Sequence, residues 1–228
     1  IFVFFQMIHK NYSSDISKRK ILLLSAPIFF ANLAIPFVGI VDTGLMGHLA
    51  NNKFLAATSV ATSVITMILW SFGFLRMGTT GLVAQSLGRG DYREVVNIFF
   101  RNISVALIIG LLIIFSEKWI IILIVKYFTI SPVTLSLVEK YISIRVLSAP
   151  AELAFYVLVG LFIGLQKTFI SSFFVASFCL INIILSYYFV IYLGLEISGV
   201  ALGTVLSSYL IVFIFLIFTY FNIKKNFN

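Results

Sequence analysis

Long apolar stretches separated by short polar segments dominate the pattern of hydrophobic and polar positions along this chain. A helix needs roughly 20 mainly apolar residues to cross the hydrocarbon core of a bilayer. Six stretches meet this requirement, and we expect each of them to form a membrane-spanning helix: about 20–47, 54–75, 95–115, 141–165, 168–193 and 199–221. The pattern therefore predicts an all-α membrane protein with six transmembrane helices.

The polar segments between these stretches predict where helices start and end. The run from Gly88 to Asp91 has the composition of a turn, and Ser131-Pro132 is typical of a helix start. The segment 117–128 is apolar but carries three charged residues. Because tryptophan and tyrosine favour the level of the lipid headgroups, its Trp119 and Tyr127 predict a segment that lies at the membrane interface.

Composition excludes a soluble domain. The chain has 228 residues, of which 61% are hydrophobic and 11% are charged, and its mean hydropathy is +1.12. A soluble domain of this length cannot bury so much apolar surface. We therefore expect membrane lipid to contact most of the outer surface of the protein.

The net charge of +8 bears only on how the protein is oriented in the membrane. In a soluble chain it would suggest nucleic acid, but here the basic residues cluster at span ends, so we expect no nucleic-acid partner. Basic residues in short loops mark the cytoplasmic side. This predicts an inner (plasma) membrane protein with an N-terminal cytoplasmic tail at 1–19, a six-helix lobe at 20–222 and a basic cytoplasmic end at 223–228.

Cysteine and histidine are too scarce for several kinds of site. The single cysteine, Cys179, permits no disulfide within the chain, and two histidines with one cysteine do not make a zinc site. The sequence also shows neither a metal cluster nor a pair of nucleophile and base. An enzyme is therefore the least favoured class, and we expect no metal and no cofactor.

The stretch from residue 25 to residue 48 combines the length of a span with two prolines, three glycines and one carboxylate, Asp42. A charged side chain inside a bilayer costs a few kcal/mol, so it usually faces a cavity and acts on an ion or a substrate. Pro36 lies six residues before Asp42, and a proline can bend a membrane helix. We therefore take Asp42 as the default functional residue of this chain.

Other polar side chains are expected at the depth of Asp42, from the rise of about 1.5 Å per helical residue. Asn182 and Ser186 lie one turn apart on one face of the fifth helix. Together with residues of the fourth and sixth helices they predict a cavity lining with a hydrogen-bond network, formed by Tyr141, Arg145, Asn182, Ser186 and Thr204.

Simpler structural roles compete with these assignments. Asp42 could serve only as a hydrogen-bond partner for a neighbouring helix. Asn182, Ser186 and Thr204 could each bridge two helices, as such residues commonly do in membranes.

The charged residues also have alternatives. Arg145 could extend its side chain outward to the membrane surface or neutralise Asp42. Glu152 could be a second carboxylate of the cavity, or the partner of a basic side chain near the inner side. We expect Arg76 to be an anchor at the cytoplasmic interface, and His48 to be a solvated loop residue rather than a proton relay.

Four strings carry a resemblance that covers about Lys20 to Tyr220: PFVGIVDTGLMGHL, FLRMGTTGLVAQSLG, IRVLSAPAELAFYVLVGLFIGLQ and INIILSYYFVIYLGLEISGVALGT. In this order they resemble the multidrug and toxic compound extrusion family, in its DNA-damage-inducible protein F branch. The resemblance implies a proton- or sodium-driven antiporter with twelve helices in two lobes of six. This chain resembles the first lobe only.

The resemblance also implies roles for single residues. Asp42 matches the acidic residue of the family's first helix, which makes it the candidate for proton or cation coupling. Asn182, Thr204 and Tyr141 match polar residues of the fifth, sixth and fourth helices. The chain departs from the family at Ser186, where the family pattern has an aspartate. One of two carboxylates of the implied site is therefore missing.

These observations predict an antiporter that exports small cationic or amphipathic compounds, driven by a proton or sodium gradient. We expect a small-molecule substrate and, as partner, a second six-helix half or a second copy of the chain. Within transport, the alternative is a flippase for lipid-linked sugars from the same superfamily. From another class, the alternative is an inactive remnant, which the missing carboxylate, the start without methionine and the end after Lys225 favour.

Overall fold

The computed structural model describes residues 18–47, 52–128 and 131–227. These residues form α-helices and contain no strand. In chain order the helices are α1 (Lys18–Gly47), α2 (Asn52–Ser71), α3 (Phe74–Gly88), α4 (Tyr92–Phe115), α5 (Glu117–Tyr127), α6 (Pro132–Arg145), α7 (Ala149–Gly164), α8 (Thr168–Tyr187) and α9 (Glu196–Phe227). A 3-10 turn, Val146–Ser148, joins α6 to α7, and a π-helical turn, Tyr188–Tyr192, ends α8.

Six helical segments of the described residues are long and apolar enough to cross a membrane, which confirms the predicted number of spans. They are Ile21–Gly47, Lys53–Gly88, Tyr92–Phe115, Pro132–Gly164, Thr168–Tyr192 and Glu196–Phe221. The tail at 1–17 and His48 lie outside the described residues. The last helix continues to Phe227, so it runs past the predicted boundary at residue 222.

The second span is longer than predicted. The helix does not end near residue 75 but continues through Phe72 and Gly73 into α3, as far as Gly88. Arg76 therefore lies within this helix, twelve residues before its end, and its place at the cytoplasmic interface stays a prediction.

The predicted helix starts are confirmed where polar residues cap them. Asp91 accepts a hydrogen bond from the backbone N–H of Glu94 at 3.0 Å, which caps α4. Ser131 accepts one from Thr134 at 3.3 Å, and Pro132 occupies the first turn of α6. The turn before α4 uses Gly90, whose φ of +72° suits glycine.

The fourth span lies at the centre of the lobe, and the first lies at its edge. In the most apolar 18-residue stretch of the fourth span 78% of the residues are buried, compared with only 6% in that of the first span. Helix α6 packs against α2 and α9, whereas α7 packs against α3 and α4. Helix α1 contacts mainly α8 and α2, and this arrangement leaves most of its surface uncovered.

The second and fourth spans are interrupted at matching levels. The first half of each, α2 and α6, pack on each other, and so do the second halves, α3 and α7. The interruptions at Phe72–Gly73 and at Val146–Ser148 therefore lie between two groups of packed helices. Arg145 and Ser148 lie at the second of these interruptions.

Close contact between α4 and α7 depends on a glycine. A Cβ atom added at Gly110 would lie 2.4 Å from the Cα atom of Pro150, whereas one added at Gly81 would meet nothing within 4 Å. We expect Gly110→Ala to lower the free energy of unfolding by about 1–3 kcal/mol through overpacking. Thermal unfolding in detergent measures this loss, and Gly81→Ala is the matched control. Equal melting temperatures for the two variants would contradict the contact.

Candidate functional site

Asp42 lies on the wall of an open groove between α1 and α2, with a volume of about 850 Å³. Gly39 and Thr43 accompany it on α1. The opposite wall belongs to α2 and is rich in hydroxyl side chains: Thr58, Ser59, Thr62, Ser63, Thr66 and Ser71. Several of these hydroxyls donate to carbonyls of their own helix, as Ser63 does to Ser59 at 2.7 Å. The α2 wall of the groove therefore mixes hydroxyls with the apolar side chains of Leu55, Met67 and Trp70.

The hydroxyl residues of this wall were not among the site residues predicted from the sequence. Thr58, Thr62 and Thr66 recur at intervals of four residues, and residues four apart lie on one face of a helix. That spacing was the available signal.

The Asp42 carboxylate has few partners among the described residues. Its Oδ1 atom is buried and accepts no hydrogen bond there. The hydroxyl of Ser186 on α8 interacts with the carboxylate but makes no aligned hydrogen bond to it. A buried carboxylate oxygen without a donor is costly, and binding of a proton or a cation would remove that cost.

A cluster of buried polar groups around Arg145 lies behind the groove. Thr62 donates to the phenolic oxygen of Tyr141 at 3.1 Å, which joins the α2 wall of the groove to α6. Arg145 interacts electrostatically with both Tyr141 and Asp42. Its guanidinium pairs with Glu152 at 2.5 Å between Nη1 and Oε1 and donates to the hydroxyl of Ser148. Two carboxylates and one guanidinium thus share a largely buried region.

A second group links α8 to α9. The side-chain amide of Asn182 donates to Thr204 at 3.0 Å and to Ser207 at 3.3 Å. All three side chains are buried. In the same contact region, a Cβ atom added at Gly203 would lie 2.6 Å from the hydroxyl of Ser186, so α8 and α9 approach closely here.

The structure brings the predicted residues together only in part. Asp42 contributes to the groove, but the residues expected to line a cavity with it do not: Tyr141, Arg145, Asn182, Ser186 and Thr204 are buried between helices behind the groove. In this conformation packing of α6, α8 and α9 closes over these side chains, and their assignment to a cavity lining stays a prediction. Asn182 and Thr204 occupy the helix-bridging positions that were the alternative.

The structure shows the surroundings of two charged residues. Arg145 does not extend outward, since its side chain is only 10% exposed. Glu152 pairs with Arg145, and its role as a second carboxylate of a cavity stays a prediction. The pairing crosses the 3-10 turn between α6 and α7.

The bridge between α8 and α9 yields a stability prediction. Thr204→Val removes an acceptor of Asn182, whereas Thr219→Val removes only a hydroxyl that donates to its own helix, to the carbonyl of Phe215. Because interhelical hydrogen bonds in membranes contribute about 1 kcal/mol, we expect Thr204→Val to unfold at lower temperature than Thr219→Val. Thermal unfolding of the two purified variants checks this. Coinciding transitions would mean that the bridge adds nothing to stability.

Comparison with known proteins places this fold in a family. The family model described as MatE matches residues 27–188. The chain belongs to the MatE family. The resemblance read from the four sequence strings is thereby confirmed.

Two curated relatives are similar over most of the chain. DNA damage-inducible protein F of Escherichia coli (strain K12) is 32% identical over 193 residues, which cover 85% of this chain and 42% of the relative. Multidrug export protein MepA of Staphylococcus haemolyticus (strain JCSC1435) is 28% identical over 201 residues, 88% of this chain and 44% of the relative. The chain thus spans about half the length of the curated relatives it matches.

A solved structure shares the fold. The outward-facing conformation of a multidrug resistance MATE family transporter of the MOP superfamily superposes with a TM-score of 0.83 at 20% identity, over 92% of this chain and 46% of that one. The six-helix arrangement is therefore one lobe of a known transporter fold.

Proposed function

We propose that this chain is the N-terminal lobe of a secondary active antiporter that exports small cationic or amphipathic compounds in exchange for protons or sodium ions. The observation that carries the proposal is the position of Asp42, a carboxylate on the wall of an open, hydroxyl-lined groove. Similarity to a protein named as a multidrug export protein supports the substrate class.

Exchange at this site follows from competition for one carboxylate. A proton or sodium ion and a cationic substrate would each neutralise Asp42, so the binding of one disfavours the binding of the other. If the two ligands prefer different conformations of the lobe, their alternation drives transport, because a ligand shifts a conformational equilibrium only by its difference in affinity. The ion gradient supplies the energy, and the proposal needs no cofactor.

A complete transporter needs more than this lobe. Alternating access in such folds comes from the movement of one half against another around a central site. We propose that a second six-helix half, or a second copy of the chain, covers the groove. The lobe would sit in the inner (plasma) membrane, surrounded by lipid, with both termini in the cytoplasm, as its basic residues indicate.

Reconstitution in vesicles tests the proposal. We would compare the chain alone with a chimera in which it replaces the matching part of the Escherichia coli relative. Ethidium is the probe, and its flux in response to an imposed pH or sodium gradient is followed by fluorescence. We expect the chimera to move ethidium and to stop when an ionophore collapses the gradient.

The same vesicles distinguish the alternatives. An ethidium flux that ignores both gradients would contradict antiport. A folded chimera that neither binds nor moves ethidium would contradict the proposal and favour the inactive remnant.

A further inference from the structure

We propose that Glu152 is a positioning residue that holds the Arg145 guanidinium away from Asp42, so that Asp42 stays free to exchange a proton or a cation. This inference rests on the proposed function of Asp42. It explains why that carboxylate can bind a proton or a cation, although the Arg145 guanidinium lies in the same buried region.

The pairing of Arg145 is asymmetric. Its Nη1 atom lies 2.5 Å from Oε1 of Glu152 in an ion pair that is not an aligned hydrogen bond, and the same nitrogen donates to Ser148. Ser148 in turn donates to the backbone carbonyl of Arg145 at 2.7 Å. The guanidinium is thus tied to the turn that joins α6 and α7, on the side of Glu152, while Asp42 Oδ1 is left without a donor.

Arg145 is nevertheless close enough to act on Asp42. The two groups interact electrostatically, and Tyr141 interacts with Arg145, Asp42 and Glu152 alike. An arginine side chain reorients by rotation about its own bonds, so loss of its partner would let it turn toward the nearest other carboxylate. In a region of low dielectric constant, an unpaired guanidinium and an unpaired carboxylate attract each other strongly.

The charge balance explains what such a turn would do. One guanidinium can neutralise one of the two carboxylates. As long as it neutralises Glu152, Asp42 needs a proton or another cation. Once the guanidinium neutralises Asp42, the carboxylate has a lower affinity for a proton or another cation, so it no longer binds the transported ion well.

Stability alone does not explain the pair. Replacing a buried ion pair by apolar side chains is often neutral or stabilising, because removing both charges from water is costly. The side chains of Arg145 and Glu152 are only 10% and 14% exposed. Ionisable groups kept inside membrane spans at such cost usually have a function, and here they lie beside the candidate coupling group.

The groups around Asp42 are few, which makes its titration a clean readout. Helix α2 presents hydroxyls and the side chains of Leu55, Met67 and Trp70 in the groove, none of them charged, and α8 presents Ser186. Arg145 and Tyr141 approach from α6, and Glu152 lies beyond Arg145 on α7. Farther along, Tyr156 of α7 interacts with Glu152, with Arg76 of α3 and with Arg145.

The experiment is a titration of Asp42 in the chain itself, reconstituted in lipid nanodiscs. The chain contains three aspartates, at 15, 42 and 91, so ¹³C labelling of aspartate gives three carboxyl signals, and Asp42→Asn identifies the one of interest. In Glu152→Gln we expect the midpoint of the Asp42 titration to fall by about one pH unit or more, the effect of a cation at hydrogen-bonding distance. Adding Arg145→Gln to that variant should restore or exceed the original midpoint.

Matched variants separate positioning from general damage. Glu94→Gln breaks the ion pair between Arg101 and Glu94 on α4, whose side chains are 66% and 33% exposed, respectively. This change should leave the Asp42 titration unchanged. Glu152→Asp keeps the charge and should stay close to the original midpoint. An Asp42 midpoint that does not fall in folded Glu152→Gln, or that falls equally in the double variant, overturns the inference.

A measurement on the unaltered chain covers the case in which Glu152→Gln does not fold. Solid-state ¹³C–¹⁵N distance measurements between arginine side chains and carboxyl carbons should find Arg145 in contact with Glu152 and not with Asp42. Direct contact with Asp42 at neutral pH would overturn the inference. Neither readout requires transport, so failure of the proposed function and failure of this inference are distinguishable.

Discussion

Asp42→Asn is expected to reduce gradient-driven ethidium flux to the level of vesicles without protein, in the chimera that contains this lobe. Asparagine has nearly the shape of aspartate but cannot bind a proton or neutralise a cation. If Asp42 is the coupling group, the exchange of ion for substrate has no site left in this lobe. The flux is measured by fluorescence under an imposed pH or sodium gradient, and membrane insertion is checked by the yield of folded protein.

Asp91→Asn is the matched control for that change. Asp91 caps α4 through the backbone N–H of Glu94, and asparagine caps helices about as well as aspartate does. The control should transport normally. Undiminished flux in Asp42→Asn would remove Asp42 from the coupling role.

The second large effect concerns the chain without a partner, which we expect to be inactive as a monomer. Its groove is open between α1 and α2, and α1 buries little of its surface inside the lobe. Left against lipid, the Asp42 carboxylate would be an unpaired polar group that costs several kcal/mol, whereas hydroxyls of α2 such as that of Ser63 already donate to their own helix. A partner that covers the groove removes this cost and supplies the second wall that alternating access needs.

Cross-linking detects such a partner. Cys179 is first replaced by serine, and a single cysteine is then introduced as Thr43→Cys in the groove or as Phe173→Cys on α8, where the side chain is 60% exposed. A short cross-linker in vesicles should join two copies through position 43 and not through position 173. Transport by a chain shown to be monomeric would contradict this account.

The spans of this fold could be predicted from the sequence because each depends on one local property, an uninterrupted apolar run. The exception is instructive. Phe72, Gly73 and Arg76 interrupt the second run, so its end was placed near residue 75, although α3 continues to Gly88. Contacts of α3 with α4 and α7 support this extension, and a local pattern does not contain them.

The site was predictable for Asp42 and less so for its surroundings. A carboxylate inside a span is conspicuous on its own. Arg145 and Glu152 are seven residues apart, about 10 Å along a straight helix, and the 3-10 turn at Val146–Ser148 that lies between them could not be read from the sequence. Whether Asn182 and Thr204 line a cavity or bridge helices likewise depends on how α8 meets α9.

Substrate-induced proton release measures directly whether a cation and a proton compete for Asp42. Ethidium is added to the reconstituted chimera in weakly buffered solution between pH 5 and pH 8, and the pH change is recorded together with the amount bound. If the two compete, we expect release of up to about one proton per ethidium bound over part of this range, and none in Asp42→Asn. Proton release that persists unchanged in Asp42→Asn, or ethidium binding without release at any pH and without displacement by sodium, would contradict this competition.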